Sequence, residues 1–187
     1  MRLSTTHRTF VRLQALSLAA TVLAATACGG ASAGDAPAKS AEGAPHPLIG
    51  NAGPDFTQKT VRDGKAVSFN ALKGKVAIVD FWATWCGPCK QSFPKLQDLN
   101  AKYGAHGLTI VGISEDDEPG GIPTFADSLG AKFPLAWDDG KAIASKWKPK
   151  SMPTTFIVDR QGIVRFVHFG YHDGEELEIE KEIKGLL

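Results

Sequence analysis

The chain has 187 residues, 43% hydrophobic and 22% charged, a globular composition at a size that fits one domain. Its formal charge is +1, and its basic residues are not clustered, which excludes a surface built on phosphate contacts and with it nucleic-acid binding. Past residue 27 no apolar run is long enough to cross a bilayer.

In chain order, the first segment reads as targeting rather than structure. Residues 1–27 carry Arg2, Arg8 and Arg12 with no acidic residue, and 13–27 are rich in Leu, Ala and Val. A basic stretch before a short apolar stretch is the pattern of a secretory signal peptide. It ends at Ala25-Thr26-Ala27-Cys28, which resembles a bacterial lipobox, where the Cys receives a lipid and becomes the new N-terminus. The lipobox usually has Leu where Ala25 stands. A plain signal, cut after Ala27 or at Ala31-Ser32-Ala33, is the alternative. Residues 28–50 are Gly, Ala, Ser and Pro with scattered charge, and read as a flexible, lipid-anchored linker. The expected location is extracytoplasmic, in the periplasm or cell envelope, anchored to a membrane by Cys28 or else free there.

The folded domain is expected over 51–187. Residues 56–61 and 66–69 flank Arg62-Asp63-Gly64-Lys65 and predict a hairpin. Residues 75–82 (KVAIVDFW) are almost continuously apolar and predict a strand buried on both faces. From Pro88 to Tyr103, Cys89, Phe93, Leu96, Leu99 and Tyr103 recur at helical spacing, and Pro94 inside is expected to kink the helix. Residues 108–114 predict a second buried strand, parallel to the first. A helix around 125–129, a short strand at 133–137 and a short helix at 141–147 follow. A second hairpin spans 155–159 and 163–169, and an amphipathic helix closes the chain from 175 to 187, with Leu177, Ile179, Ile183, Leu186 and Leu187 apolar.

The chemistry lies at Trp85-Cys86-Gly87-Pro88-Cys89, where the buried strand ends and a helix begins. Unpaired N–H groups and the partial positive charge of a helix N-terminus favour thiolate. Cys86 lies at the open edge of that turn. Cys89 lies one turn in, on the apolar face. Cys86 is thus the expected nucleophile toward a substrate disulfide and Cys89 the resolving thiol. Asp80 interrupts an apolar strand just upstream; a carboxyl there is desolvated, titrates near neutrality and suits a proton acceptor for Cys89. A partly solvated Asp at a strand end is the alternative.

The run Asp80-Phe81-Trp82-Ala83-Thr84-Trp85-Cys86-Gly87-Pro88-Cys89-Lys90 resembles the thioredoxin active-site segment, and Met152-Pro153-Thr154-Thr155-Phe156 resembles the loop carrying that family's cis-proline. With the N-terminal hairpin, the segment between Ser114 and Phe133 and the secretion signal, the chain is similar to the TlpA/ResA-like thioredoxin branch from about residue 52 to 187. The resemblance implies an α/β thioredoxin fold: a central mixed β-sheet flanked by helices, with an N-terminal β-hairpin extension. It implies a thiol-disulfide oxidoreductase that needs no cofactor and no metal, with Pro153 cis beside Cys86 and the backbone before it pairing with substrate. Trp85, Gly87, Pro88 and Met152 are the expected substrate-binding residues. Branch members commonly carry Asn where Asp80 stands and Glu where Ser92 stands, so this site is closer to general thioredoxin. Expected partners are protein disulfides, with apocytochrome c and copper-site proteins as candidates, and a membrane electron donor; the protein is expected to be a monomer. The Gly-Pro dipeptide places no charge beside the thiolate, which points to a reductant, with a potential between roughly −200 and −280 mV on the thioredoxin scale.

Rival readings have weaker support. A zinc site would recruit His168 and His172, far from the cysteines; they read more simply as a strand-surface and a turn histidine. A peroxidase needs Thr where Ala83 stands. A copper carrier or redox-sensing module would want more Met or His than Met152 supplies. Glu115-Asp116-Asp117-Glu118 is a solvated loop or a charge filter for substrates. Lys146, Lys148 and Lys150 are a solvated face or thiolate stabilisers. Trp137 and Trp147 are core or substrate rim.

Overall fold

The computed structural model describes residues 45–187. The signal peptide, Cys28 and most of the linker lie outside the described residues.

Two strands, β1 (Thr57–Lys59) and β2 (Ala66–Ser68), form the N-terminal antiparallel hairpin. The main sheet contains β3 (Val76–Trp82), β4 (Leu108–Ser114), β5 (Leu135–Trp137), β6 (Thr154–Val158) and β7 (Val164–Phe169). Its order is β5-β4-β3-β6-β7. The β3–β4 and β4–β5 pairs are parallel, and β3–β6 and β6–β7 are antiparallel. The helices are α1 (Gly87–Tyr103), α2 (Ile122–Ser128), α3 (Ala144–Trp147) and α4 (Glu175–Leu186). This is the expected mixed sheet with flanking helices. Pro94 stands within α1, where it withholds one backbone donor without ending the helix.

All seven residues of β3 are buried, so the strand is sandwiched between two apolar layers. Alternation sorts its side chains. Val76, Ile78 and Trp82 join Cys89, Phe93 and Leu96 of α1 and Ile179 and Ile183 of α4 in one layer. Ala77, Val79 and Phe81 join Phe69, Trp147 and Phe156 in the other. Asp80 shares the parity of Ile78 and Trp82, which turns its carboxyl toward the layer that holds Cys89.

Both edges of the sheet are covered, which removes templates for unwanted strand pairing. Beside β5, Val61 N donates to Leu135 O at 2.8 Å. Beside β7, Gly50 N donates to Val164 O at 2.8 Å and Val164 N to Asn51 O at 2.9 Å.

Three expectations need correction. The folded region reaches back past residue 51: His46 is buried, with its ring 5.2 Å from that of Phe156 and its Nε2 3.1 Å from Lys148 O. Leu48 and Ile49 pack beside it, so a segment too sparse in apolar residues to form a core still docks onto one. His168 is not on the strand surface; it shares the parity of Phe166 and faces α4, buried. Leu177 is 66% exposed, off the buried stripe of α4 set by Ile179 and Ile183.

A candidate dithiol active site

The site is built at the turn from β3 into α1. Cys86 is the N-cap of α1, with extended backbone (φ −79°, ψ 111°), and its Sγ accepts from Cys89 N at 3.1 Å. Pro88 lies in the first turn, where a missing N–H costs nothing and a fixed φ favours the helix. Cys86 and Cys89 are joined as a disulfide with Cα atoms 5.3 Å apart. The two sulfurs differ in access. Both lie in the α1 layer, Cys89 fully buried and Cys86 4% exposed, and only Cys86 of the two lines a surface cavity of about 460 Å³.

That cavity brings together most of the residues expected from sequence. Trp85, Cys86, Gly87, Pro88 and Met152 line it, joined by Pro149, Lys150 and Ser151. Trp85 is 66% exposed, an apolar surface offered to solvent beside the reactive sulfur. The Met152–Pro153 peptide bond is cis, as the resemblance implied. Pro153 is buried and immediately precedes β6, and its carbonyl accepts from Gly170 N at 2.7 Å. Of the three lysines, Lys150 alone lines the cavity, and Lys146 and Lys148 do not. Trp147 is core, with its Nε1 donating to Pro54 O at 3.0 Å. Trp137 is half-buried and donates to Asp116 O at 2.8 Å.

Asp80, on the face of β3 that packs against the Cys89 layer, is fully buried. Its Oδ1 accepts from Thr155 Oγ1 at 2.7 Å, and its Oδ2 has no hydrogen-bond partner. Burial disfavours its anion and pushes its pKa up to about 7; the Thr155 hydroxyl pulls the other way, and the nearby Glu175 adds to the rise.

The acidic run proves to be two kinds of residue. Asp117 is exposed, but Glu115 and Asp116 are buried. Asp116 accepts from Thr84 N at 3.1 Å, from Thr84 Oγ1 at 2.6 Å and from Ser114 Oγ at 2.7 Å. It thereby ties the carboxyl end of β4 to the loop that precedes Cys86. Burial raises Glu115 to about 7, helped by the buried carboxylate of Asp138. Asp138 itself anchors the start of α3, accepting from Ile143 N at 2.9 Å and Ala144 N at 2.8 Å.

Sequence reasoning missed Asp116 as an anchor and missed the partners of His168. The signal for the first was position: acidic residues at the carboxyl end of a parallel strand, where such sheets gather their functional loops. The signal for the second was parity with Phe166.

Comparison with known proteins agrees with this geometry. Residues 49–167 match the AhpC/TSA family. The thiol-disulfide oxidoreductase ResA of Bacillus anthracis is 34% identical over 130 residues, covering 70% of this chain and 75% of that protein. The thioredoxin-like protein YneN of Bacillus subtilis is 35% identical over 132 residues, covering 69% and 76%. Among solved structures, a protein assigned as thiol:disulfide interchange protein DsbE from Chlorobium tepidum superposes with a TM-score of 0.70 at 34% identity, over 74% of this chain and 96% of that one. Fold, cysteine spacing, cis-proline loop and relatives agree: the chain belongs to the ResA/TlpA-like thioredoxin family of thiol-disulfide oxidoreductases.

Proposed function

We propose that this protein reduces protein disulfides outside the cytoplasm, with Cys86 as nucleophile and Cys89 as resolving thiol. The observation that carries the assignment is the difference in access: Cys86 opens onto the cavity while Cys89 is sealed beneath it. The Cys86 thiolate, favoured by the α1 N-terminus, attacks one sulfur of the substrate disulfide. The substrate's S–S bond breaks, one half leaves as thiolate and takes a proton from solvent, and a mixed disulfide forms. Cys89 then gives its proton to the Asp80 carboxylate and attacks Cys86 Sγ. The mixed disulfide breaks, the second substrate thiolate leaves and is protonated, and Cys86 and Cys89 are left joined. The substrate gains two electrons and the enzyme loses two.

Trp85 and Met152 supply apolar contact on either side of the cysteine, and the chain before Pro153 offers backbone groups to an extended substrate. Reductive direction follows from Gly87-Pro88, which adds no charge to stabilise the thiolate; the expected potential lies between roughly −200 and −280 mV. A reductant in an oxidising compartment needs a membrane electron donor. Lipidation of Cys28 would keep the protein near one, with apocytochrome c and copper-site cysteines as candidate substrates.

Cys89→Ser should accumulate mixed disulfides with extracytoplasmic proteins, and Cys86→Ser should accumulate none. Trapping by Cys86→Ser alone would reverse the assignment. Equilibration with thiol buffers reads direction, and a potential above about −150 mV would make the protein an oxidant. Fatty-acid labelling of the wild type, absent in Cys28→Ala, tests the anchor.

A further inference from the structure

A polar row crosses the otherwise apolar sheet beneath the dithiol. Asp80 of β3 stands directly opposite Thr155 of β6, and Thr155 directly opposite His168 of β7. Directly opposed residues point to one face, so all three side chains enter the layer between the sheet and α1 and α4. All three are buried, at 0%, 3% and 5% exposure. Where the row ends, α4 supplies two carboxylates. His168 Nε2 lies 2.7 Å from Glu182 Oε2, and His168 Nδ1 lies 3.3 Å from Glu175 Oε1.

This arrangement costs more than a packed apolar core would, because every charge in it has left water. It is also incompletely satisfied. Asp80 Oδ2 and Glu175 Oε1 are both buried without a hydrogen-bond partner; the latter is within ion-pair range of His168 but out of alignment. A tie between β7 and α4 needs only one carboxylate on the imidazole. Here a second is directed at the same ring, and the charge of one of the two, Glu175, also acts on Asp80.

We propose that His168, clamped between Glu175 and Glu182, is a positioning residue for the redox site: through Glu175 it controls how readily Asp80 holds a proton. Asp80 accepts from Thr155 of β6, lies in the layer that holds Cys89 of α1 and is acted on by the charge of Glu175 of α4; opposite it on β4 stands Gly112, with no side chain. Glu175 faces His168 from β7 and the exposed His172 from the preceding loop, whose N donates to Glu175 Oε2 at 3.3 Å and whose Nδ1 lies 3.5 Å from it. Farther out, Tyr171 donates to Glu176, which pairs with Lys95 of α1 at 3.6 Å. A charged imidazolium offsets the Glu175 anion, and an offset anion raises Asp80 less than a bare one. Burial alone would pull His168 down, but its two carboxylates more than reverse this and hold it at about 9, so the offset persists at neutral pH.

Two substitutions should therefore act in opposite senses. Glu175→Gln removes the anion and lowers the Asp80 titration midpoint; His168→Gln bares the anion and raises it. Each shift should reach about half a pH unit or more. The readout is the Asp80 carboxyl signal in the ¹³C spectrum of the oxidised full chain, where neither thiol titrates. Equal midpoints in the three proteins, or shifts of the same sign, would overturn the proposal. A wild-type His168 imidazole titrating below pH 7 would overturn it as well, and that measurement stands even if His168→Gln does not fold. The consequence for turnover rests on Asp80 accepting the Cys89 proton. Midpoints that move as stated while the pH profile of disulfide reduction stays fixed would sink that reading of Asp80 and leave the coupling intact.

Discussion

At the scale of single residues, Asp80 is costly to bury and is the proton acceptor proposed for Cys89. A carboxyl that ordinarily titrates at 3.8 is held at about 7. In that state the folded protein binds a proton that the unfolded chain has released, so folding loses stability as pH rises from about 4 to 7 and the loss is complete above. Three pH units correspond to roughly 4 kcal/mol. Asp80→Asn keeps an oxygen for Thr155 and never ionises. It should raise unfolding free energy at pH 8 by about 2–4 kcal/mol and leave it nearly unchanged at pH 4. Chemical denaturation at the two pH values reads the difference. The same variant should lose the pH-dependent limb near 7 in the resolution of mixed disulfides; an unaltered limb would remove Asp80 from the mechanism. Gly112, its neighbour across the β3–β4 pair, is held small by packing. A Cβ there would sit 2.7 Å from Leu135 Cδ2 and 3.0 Å from Trp82 Nε1. Gly112→Ala should destabilise by about 1–3 kcal/mol through overpacking, measured by the same denaturation.

At the scale of elements, the site depends on the loop between β3 and α1 being fixed by something other than its own backbone. Asp116 does this from the end of β4, through both the N–H and the hydroxyl of Thr84. Asp116→Ala leaves those donors and the Ser114 hydroxyl without their acceptor, at a cost of about 2–3 kcal/mol, and frees the turn that presents Cys86. Its disulfide-reduction rate should fall together with stability, with partial rescue by Asp116→Asn, which still offers one acceptor oxygen. Full activity in Asp116→Ala would show that the cap does not position the nucleophile. The elements themselves were legible in sequence. Buried strands at 75–82 and 108–114 declared themselves by almost continuous apolar runs, and α1 by its three-and-four spacing. The cysteine pair and the cis-proline loop were legible because their chemistry needs fixed residues at fixed spacing. The rest was not, for a physical reason. Asp116 and Glu115 sit in a run that composition makes solvent-like, and only the fold buries them. His46 docks through contacts with Phe156 and Phe169, more than a hundred residues away in sequence, which no local pattern encodes.

At the scale of the whole molecule, these buried groups combine into one pH dependence. Asp80 is raised from 3.8 to about 7 and Glu115 from 4.5 to about 7. Each therefore withdraws stability as pH climbs through the interval between its two values. His168 is raised from 6.5 to about 9, so its contribution is complete below 6.5 and lost as pH rises through 9. All three act in the same direction. On the acid side, Glu180 is lowered from 4.5 to about 2 by hydrogen bonds from Lys102 and Tyr103, and Glu176 is lowered by Tyr171. Their contributions are present above about 4.5 and are lost as pH falls toward 2. The stability maximum should therefore lie near pH 4–5, more acidic than the usual range of about 5–8. For the oxidised protein, whose thiols do not titrate, Tm should fall by about 10 °C or more between pH 5 and pH 9. Asp80→Asn should reduce the part of that decline below pH 7 to the share that belongs to Glu115, and keep the part between 7 and 9, which belongs to His168. His168→Gln should remove the His168 part and carry the Asp80 part to higher pH. A Tm that holds level or rises from pH 5 to 8 in the wild type would mean that Asp80, Glu115 and His168 do not carry the shifted protons that their burial and partners require.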